Sequence, residues 1–271
     1  MSRKIFILIA SVSVLIIGTW CASAAVPFLD PMFGYSKISD IAYATPSSNM
    51  LDLYRPNGTG LPAKLPGFIF LHGYGGDKAD PKPSTVCINY TKRGYVCASI
   101  NYDLYSGKSA ADAVRWMRAN AATYNIDPDR IAIGGGSAGA TTVMLAAYQE
   151  ASVVGTNAQI GVLLDLWGTL LGQEGLIDAD DPPIFIAHGT ADETVSISAS
   201  YSIVARCQRI GLDYQFFPIE GAGHSCFDEF WSYMVDGKTV DRHCAEFFYK
   251  HLDLENINPH APFPLFQLLH Q

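Results

Sequence analysis

Three side chains of the types that together make a nucleophile out of an alcohol occur in the order serine, acid, histidine: Ser137, Asp192 and His224. A serine hydroxyl attacks poorly until a neighbouring base takes its proton. Imidazole can do so near neutral pH, and a carboxylate behind the ring fixes its tautomer and stabilises its charged form. Ser137 stands in the frame Gly135-Gly-Ser-Ala-Gly139, between an apolar run (Arg130-Ile-Ala-Ile) and a helix-forming one (Ala140-Thr-Thr-Val-Met-Leu-Ala-Ala-Tyr-Gln). A strand that turns abruptly into a helix at a serine crowds the backbone, so the residues two positions away must be small. The turn also sets the hydroxyl at a helix N-terminus, which favours developing negative charge. Alone, a Gly-rich strand-to-helix turn is a common structural feature. The acid and the histidine further down the chain give it meaning.

That acid and that base each lie just past a short apolar segment. Pro182-Pro-Ile-Phe-Ile-Ala-His-Gly-Thr-Ala-Asp192 reads as a strand running into a loop, with Glu193, and less so Asp180 or Asp181, competing for the acid role. Tyr214-Gln-Phe-Phe-Pro-Ile-Glu-Gly-Ala-Gly-His224 reads as another strand, ending in small residues that let a histidine approach a neighbour. His72 and His188, each followed by glycine at a strand end, read as loop-stabilising rather than as the base. Acyl-transfer chemistry also needs donors for an oxyanion. Pro66-Gly-Phe-Ile-Phe-Leu-His-Gly-Tyr-Gly-Gly76 ends in a glycine-rich loop able to present an amide, from Tyr74 or Gly75, opposite the amide of Ala138.

These motifs resemble those of α/β-hydrolases of the carboxylesterase and acetyl- or feruloyl-esterase kind. Ile126-Asp-Pro-Asp-Arg-Ile-Ala-Ile-Gly-Gly-Gly-Ser-Ala-Gly139 is similar to the nucleophile region of hormone-sensitive-lipase-like enzymes, and His72-Gly-Tyr-Gly-Gly to the His-Gly-Gly-Gly oxyanion loop of esterases, with Tyr74 in place of a glycine. His188-Gly-Thr-Ala-Asp192 is closer to the acid loop of dienelactone hydrolases and prolyl oligopeptidases. The resemblance runs from about Tyr43 to Leu252. It implies a catalytic triad of Ser137, Asp192 and His224, an oxyanion hole formed by the Tyr74 and Ala138 amides, and neither metal nor organic cofactor.

Positioning such a set requires parallel strands with their carboxyl ends on one edge. Strand-like runs at Lys37–Tyr43, Met50–Tyr54, Gly67–Leu71, Tyr95–Asn101, Arg130–Ile133, Ile160–Leu166, Ile184–Ala187 and Tyr214–Ile219 alternate with helical ones. That alternation predicts an α/β class fold, a mostly parallel central sheet with helices on both faces, in a single domain over 25–271. Trp116 and Met117, at near-helical spacing, read as core, as do Phe247, Phe248 and Leu252. Only about fifteen residues separate Leu166 from Pro182, too few for a large cap domain, so an open site is expected. Trp167, just after a strand, is a candidate to line the acyl pocket, with core packing its alternative; Val26–Ser36 is expected to pack on the domain rather than over the cleft.

Residues 1–24 read as a signal peptide: Arg3 and Lys4, an apolar run from Ile5 to Gly18, then Ala22-Ser-Ala24 before Ala25. Secretion is therefore expected, with no membrane span left after cleavage. Loss of Arg3 and Lys4 takes the net charge from −8 to −10, a field that repels phosphate backbones and excludes nucleic-acid binding. Five cysteines remain (Cys87, Cys97, Cys207, Cys226, Cys244); Cys97 reads as a buried apolar residue, Cys226–Cys244 is the preferred disulfide and Cys87–Cys207 a weaker one. Asn57-Gly-Thr and Asn89-Tyr-Thr are glycosylation sequons. The reading is a secreted serine esterase acting on a small-molecule or polymer-borne short-chain ester. A prolyl-oligopeptidase-like peptidase and a non-catalytic binding module on the same fold are the alternatives.

Overall fold

The computed structural model describes residues 25–45, 49–149 and 151–257; the expected signal peptide and the tail 259–271 lie outside them. Eight strands form one sheet in the order β1-β2-β4-β3-β5-β6-β7-β8. They are β1 (Gly34–Ala42), β2 (Met50–Asn57), β3 (Leu65–Leu71), β4 (Val96–Ile100), β5 (Ile126–Gly136), β6 (Val162–Leu166), β7 (Ile184–Gly189) and β8 (Tyr214–Ile219). β2 pairs antiparallel with both β1 and β4, and from β4 to β8 every pairing is parallel. The carboxyl ends of the parallel strands therefore share one edge. Every residue of β3, β4, β6 and β7 is buried, as expected of strands covered on both faces, which need unbroken apolar runs rather than alternation.

Five strands, β1, β2, β3, β5 and β7, are longer than their sequence suggests, and β5 and β1 show why. β5 begins at Ile126, because Leu65 pairs with Ile126 before a register shift; within that irregularity Asp127 and Arg130 form an ion pair at 2.7 Å. β1 begins at Gly34 and is almost wholly exposed, an edge strand whose polar residues carry no apolar signal.

The helices divide between the two faces. α1 (Pro81–Arg93) and α8 (Val240–His251) cover one, packing Val86, Tyr90, Phe247 and Phe248 against Phe68, Phe70 and Phe185. α2 (Gly107–Ala119), α4 (Ala138–Tyr148) and α6 (Ser198–Ile210) cover the other, packing Val114, Met117, Val143 and Ile203 against Ile69, Ile133 and Ile186. Short helices α3 (Ala121–Tyr124), α5 (Ala151–Val154) and α7 (Phe227–Ser232) and a hairpin, β9 (Met234–Val235) with β10 (Lys238–Thr239), complete the chain order. Local chemistry marks the ends: Pro81 opens α1, Gly94 closes it at φ 112°, and the Ser106 and Thr239 hydroxyls accept the amides of Ser109 and Arg242 to cap α2 and α8. α4 is apolar nearly all round, which suits the central helix after the nucleophile strand.

The disulfide expectation needs correction. All five described cysteines are buried and unpaired. Cys87 and Cys207 lie on opposite faces of the sheet, which stands between them. Cys244 lies against Tyr90 and Asp241, whereas the Cys226 thiol receives the Gly189 amide, so their neighbours differ. Burial pushes the thiols up, to about 11 for Cys207 and about 12 for Cys226. Asn57 is exposed at the end of β2, but the Asn89 sequon falls inside α1 with Thr91 fully buried, a poor acceptor site. The N-terminal segment packs against the end of α1: the Phe28 amide donates to Arg93 O (2.7 Å) and its ring meets Tyr95 edge-on at 5.9 Å. Because Arg93 leads into the start of β4, this segment sits at the amino edge of the sheet, away from the carboxyl-edge loops. Residues 167–183 hold a single 3-10 turn, Glu174–Leu176, in place of a cap. Among the described residues no helix is long and apolar enough to cross a membrane.

Candidate active site

The turn at Ser137 is as tight as its sequence requires. Ser137 has φ 55° and ψ −120°, a conformation L residues rarely adopt, and its amide donates to Leu166 O (2.9 Å). A Cβ at Gly135 would fall 2.4 Å from the Gly139 carbonyl carbon, and one at Gly139 would fall 2.4 Å from Leu71 O and 2.5 Å from His72 O. Any side chain there would force β5, α4 and the loop after β3 apart, so both glycines are steric necessities. Ser137 remains partly accessible, while Gly136 and Ala138 beside it are buried.

His224 lies between the other two members. Its Nε2 is 3.0 Å from Ser137 Oγ, and its Nδ1 is 2.7 Å from Asp192 Oδ2. The Asp192 side chain is fully enclosed and the His224 ring is about one-fifth exposed. The other carboxylate oxygen, Oδ1, accepts the amides of Thr194 (2.8 Å) and Val195 (2.9 Å). Burial alone would raise the Asp192 carboxyl, but the His224 hydrogen bond and these two amides outweigh it and hold the group below the usual carboxylate range. Asp192 is thus a carboxylate at neutral pH. Its loop is sewn to the loop that carries His224: Ala191 N donates to Ala222 O (2.9 Å), Thr190 N to Ile219 O (3.0 Å) and Gly221 N to Thr190 Oγ1 (2.8 Å). A Cβ at Gly189 would lie 2.2 Å from Ala222 O, so only glycine permits this approach.

The glycine-rich loop after β3 runs alongside Ser137, for a Cβ at Gly73 would lie 3.6 Å from the Ser137 Cβ. Among the described residues the amides of Tyr74 and Ala138 make no hydrogen bond, and Gly75 sits at φ 71°. The Tyr74 side chain is 80% exposed. Asn101, at the end of β4, holds the loop from behind: its Oδ1 accepts the Lys78 amide (2.7 Å) and faces His72 Nε2 (3.2 Å), and its Nδ2 donates to Asp77 Oδ2 (2.8 Å). Tyr102 donates its hydroxyl to His72 O (2.7 Å). The buried Lys78 ammonium ties the same loop to Asp52 and Asp40, at 2.7 Å each.

Trp167 does not line an acyl pocket but takes the core-packing alternative. It is fully buried at φ 48°, edge-on to Phe227 at 4.8 Å, and its indole packs under Gly136. It supports the turn from below and lines no solvent-accessible pocket. Glu193, Asp180 and Asp181 make no hydrogen bond or ion pair with His224 among the described residues, whereas Asp192 does. Two polar side chains near the site escape sequence reasoning, Asn101, whose only signal is an asparagine ending an apolar strand, and the buried Asp165, while His188 is the buried structural histidine its sequence context suggests, bonded to Ser200 Oγ and Val195 O. No cluster of three potential metal ligands occurs among the described residues.

Residues 51–161 match the family model described as BD-FAE. Over 122 residues, 41% of this chain, the sequence is 31% identical to esterase LipQ of Mycobacterium tuberculosis, and the match spans 29% of that protein's length. A truncated form of a carbohydrate esterase from gut microbiota superposes with a TM-score of 0.67 at 20% identity, over 82% of this chain and 98% of that one. Esterase 2 of Thermogutta terrifontis, phosphorylated by paraoxon, superposes with a TM-score of 0.63 at 21% identity, over 83% and 96%.

Proposed function

This chain has the α/β-hydrolase fold, and from that premise we propose that it is a secreted serine esterase acting on short-chain carboxylic esters, including acyl groups carried on a polysaccharide. The observation that carries the reading is the unbroken path Asp192–His224–Ser137, with contacts of 2.7 and 3.0 Å, ending at a partly exposed hydroxyl. His224 takes the Ser137 proton as Oγ attacks the ester carbonyl. The Tyr74 and Ala138 amides receive the oxyanion, and the imidazolium protonates the departing alcohol. Water, deprotonated by His224, then attacks the acyl-enzyme and releases the acid. Esterase LipQ, the gut carbohydrate esterase and a paraoxon-phosphorylated esterase 2 support this chemistry by similarity. The absence of a cap between β6 and β7 supports a shallow site suited to short acyl chains. The basic, apolar and small-residue pattern of residues 1–24 supports secretion.

The test is kcat/KM for p-nitrophenyl acetate, butyrate and octanoate and for an acetylated xylan, beside a prolyl-peptide amide. Labelling of Ser137 by a fluorophosphonate accompanies it. Highest activity on acetate or butyrate, with labelling lost in Ser137→Ala, is expected. Cleavage of the peptide in preference to every ester would replace the esterase reading with the peptidase one, and an unlabelled, inert protein would make the fold a binding module.

A further inference from the structure

We propose that Asn101 is a positioning residue for the oxyanion hole, clamping the glycine-rich loop after β3 in the place from which the Tyr74 amide serves Ser137. This rests on the reading of that amide as an oxyanion donor and adds the group that holds the donor still. The loop runs against the nucleophile elbow: a Cβ at Gly73 would lie 3.5 Å from Gly136 O and 3.6 Å from the Ser137 Cβ, and Gly75 sits at φ 71°. Within it the Gly76 amide donates to Gly73 O (3.1 Å). The glycines that allow this path also leave the chain loose, because a residue without a Cβ has more conformations to lose. An oxyanion donor works by already pointing at the charge as it develops. Rigidity must therefore come from outside the loop.

Asn101 stands where β4 ends, and its own backbone is fixed twice. Its amide donates to Met50 O of β2 (2.9 Å), and its carbonyl accepts the Tyr43 hydroxyl (2.6 Å). From that footing the side chain grips the far end of the loop: Oδ1 accepts the Lys78 amide (2.7 Å) and Nδ2 donates to Asp77 Oδ2 (2.8 Å). These partners fix which end of the side-chain amide is which, since a backbone N–H needs an acceptor and a carboxylate needs a donor. His72 Nε2 faces the same Oδ1 at 3.2 Å. Tyr102, the next residue, holds the near end with its hydroxyl on His72 O (2.7 Å), and the Ser99 hydroxyl of β4 donates to Lys78 O (2.7 Å). The end of β4 thus holds both feet of the loop, with Gly73-Tyr74-Gly75-Gly76 spanning between them. Three charged groups surround the clamp besides His72. Asp77 is held below the usual carboxylate range by the Ala79 amide and then by Asn101. Asp80 accepts the Asp77 amide (2.8 Å), and the Lys78 ammonium turns away onto Asp40 and Asp52.

The experiment compares full-length Asn101→Ala, Asn101→Asp and Tyr102→Phe with the parent protein. It measures kcat and KM on p-nitrophenyl acetate across pH and the 15N order parameters of the residue 73–76 amides. Asn101→Ala should lower kcat by about 10- to 100-fold with little change in KM, less than the roughly 100- to 1000-fold that follows outright loss of an oxyanion donor. Its loop order parameters should fall from about 0.85, the value of rigid backbone, towards about 0.6. Asn101→Asp keeps an acceptor for the Lys78 amide. At low pH its carboxyl carries a proton and donates to Asp77 as Nδ2 does; as pH rises it ionises, and two like charges then push the foot of the loop away. Its kcat relative to the parent at the same pH should therefore fall as pH rises. Tyr102→Phe, which frees the near foot alone, should give a smaller loss in the same direction, and it carries the test if Asn101→Ala does not fold. Parent-like kcat in Asn101→Ala would overturn the proposal, as would losses in the alanine and aspartate variants that are equal at every pH with the order parameters unmoved. The order parameters need no substrate, so if the parent hydrolyses no ester they still decide: unmoved values in Asn101→Ala would overturn the clamp by themselves.

Discussion

Two buried clusters of charge show how a polar group that holds a fold differs from one placed to react. Between α1 and α8, Arg93 and Asp241 form a two-pronged ion pair, and the Arg93 Nε also donates to Leu29 O (3.2 Å). Burial pushes Asp241 up, and Arg93 only partly counters it. Both side chains are more than nine-tenths enclosed, and every charge meets its opposite inside the protein. At the carboxyl edge of the sheet the chain Asp192–His224–Ser137 is also hydrogen-bonded, yet it is open at one end. It starts among fully buried groups and finishes on a hydroxyl within reach of solvent. A closed pair can only be broken, whereas a chain with one open end can take a proton from that end onto its imidazole while the carboxylate behind stays charged. The same side-chain chemistry serves both; the position of the open end decides the use.

The largest effects on turnover are expected at that open end. Ser137→Ala and His224→Ala should each cost about 10⁴- to 10⁶-fold in kcat, and the double variant should be no slower than the worse single one, because nucleophile and base act as a unit. Asp192→Asn should cost about 10⁴-fold. A double variant far slower than either single one, in single-turnover assays, would mean that Ser137 and His224 do not share a step. None of these changes should lower the unfolding free energy by as much as removing the buried Arg93.

At the closed pair the order reverses. Arg93→Ala should destabilise the fold by about 3–5 kcal/mol, since it leaves Asp241 buried and uncompensated, while Arg93→Met with Asp241→Leu should be much milder. Urea unfolding checks both, and the esterase turnover of the fraction that stays folded should equal the parent's.

Asp165 is the inner neighbour of the open chain, and its carboxyl is pushed up to about 6 by burial, against the pull of His188 and the Gly168 amide. A folded-state value above the unfolded one of 3.8 means that the folded protein holds this proton more tightly. The group therefore costs nothing below pH 4 and costs increasingly as pH rises through 6. Asp165→Asn should remove that cost, raising stability above pH 6 by about 3 kcal/mol and leaving it unchanged near pH 4. Thermal unfolding at pH 4 and pH 7.5 reads the difference; an equal change at both would show that Asp165 keeps one protonation state across that range. The smallest effect is expected at Tyr74→Ala. Its side chain is 80% exposed and the amide survives the change, so turnover on p-nitrophenyl acetate should alter only a few-fold and stability hardly at all.

Much of the site is legible in the order of residues because its constraints are local. The elbow needs small residues at 135 and 139, since contacts of 2.4 Å leave no room for a Cβ, and that need appears in the sequence as glycine. The parallel strands must be covered on both faces, so β3, β6 and β7 stand out as unbroken apolar runs. Strand limits are less legible: β1 is an exposed edge strand, and β5 is extended through a register shift that depends on its partner Leu65.

The types and order of Ser137, Asp192 and His224, and the apolar runs that carry them to one edge, are properties of the chain alone. Which acid meets the base is not. Asp192 and Glu193 are adjacent and chemically alike, and only the stitching of the β7 and β8 loops through Ala191 and Ala222 turns Asp192 toward His224. The cysteines show the same division. Their number and spacing permit pairing, but a sheet interposed between Cys87 and Cys207 forbids it. Trp167 likewise looks the same in sequence whether it lines a pocket or props a turn, and its burial under Gly136 is settled by packing from α7. His188 is a histidine before a glycine until α6 brings Ser200 to one ring nitrogen and the loop after β7 brings the Val195 carbonyl to the other. Contacts between residues close in sequence leave a mark on composition and spacing, whereas those made by separate elements meeting across the sheet depend on where the whole chain comes to rest.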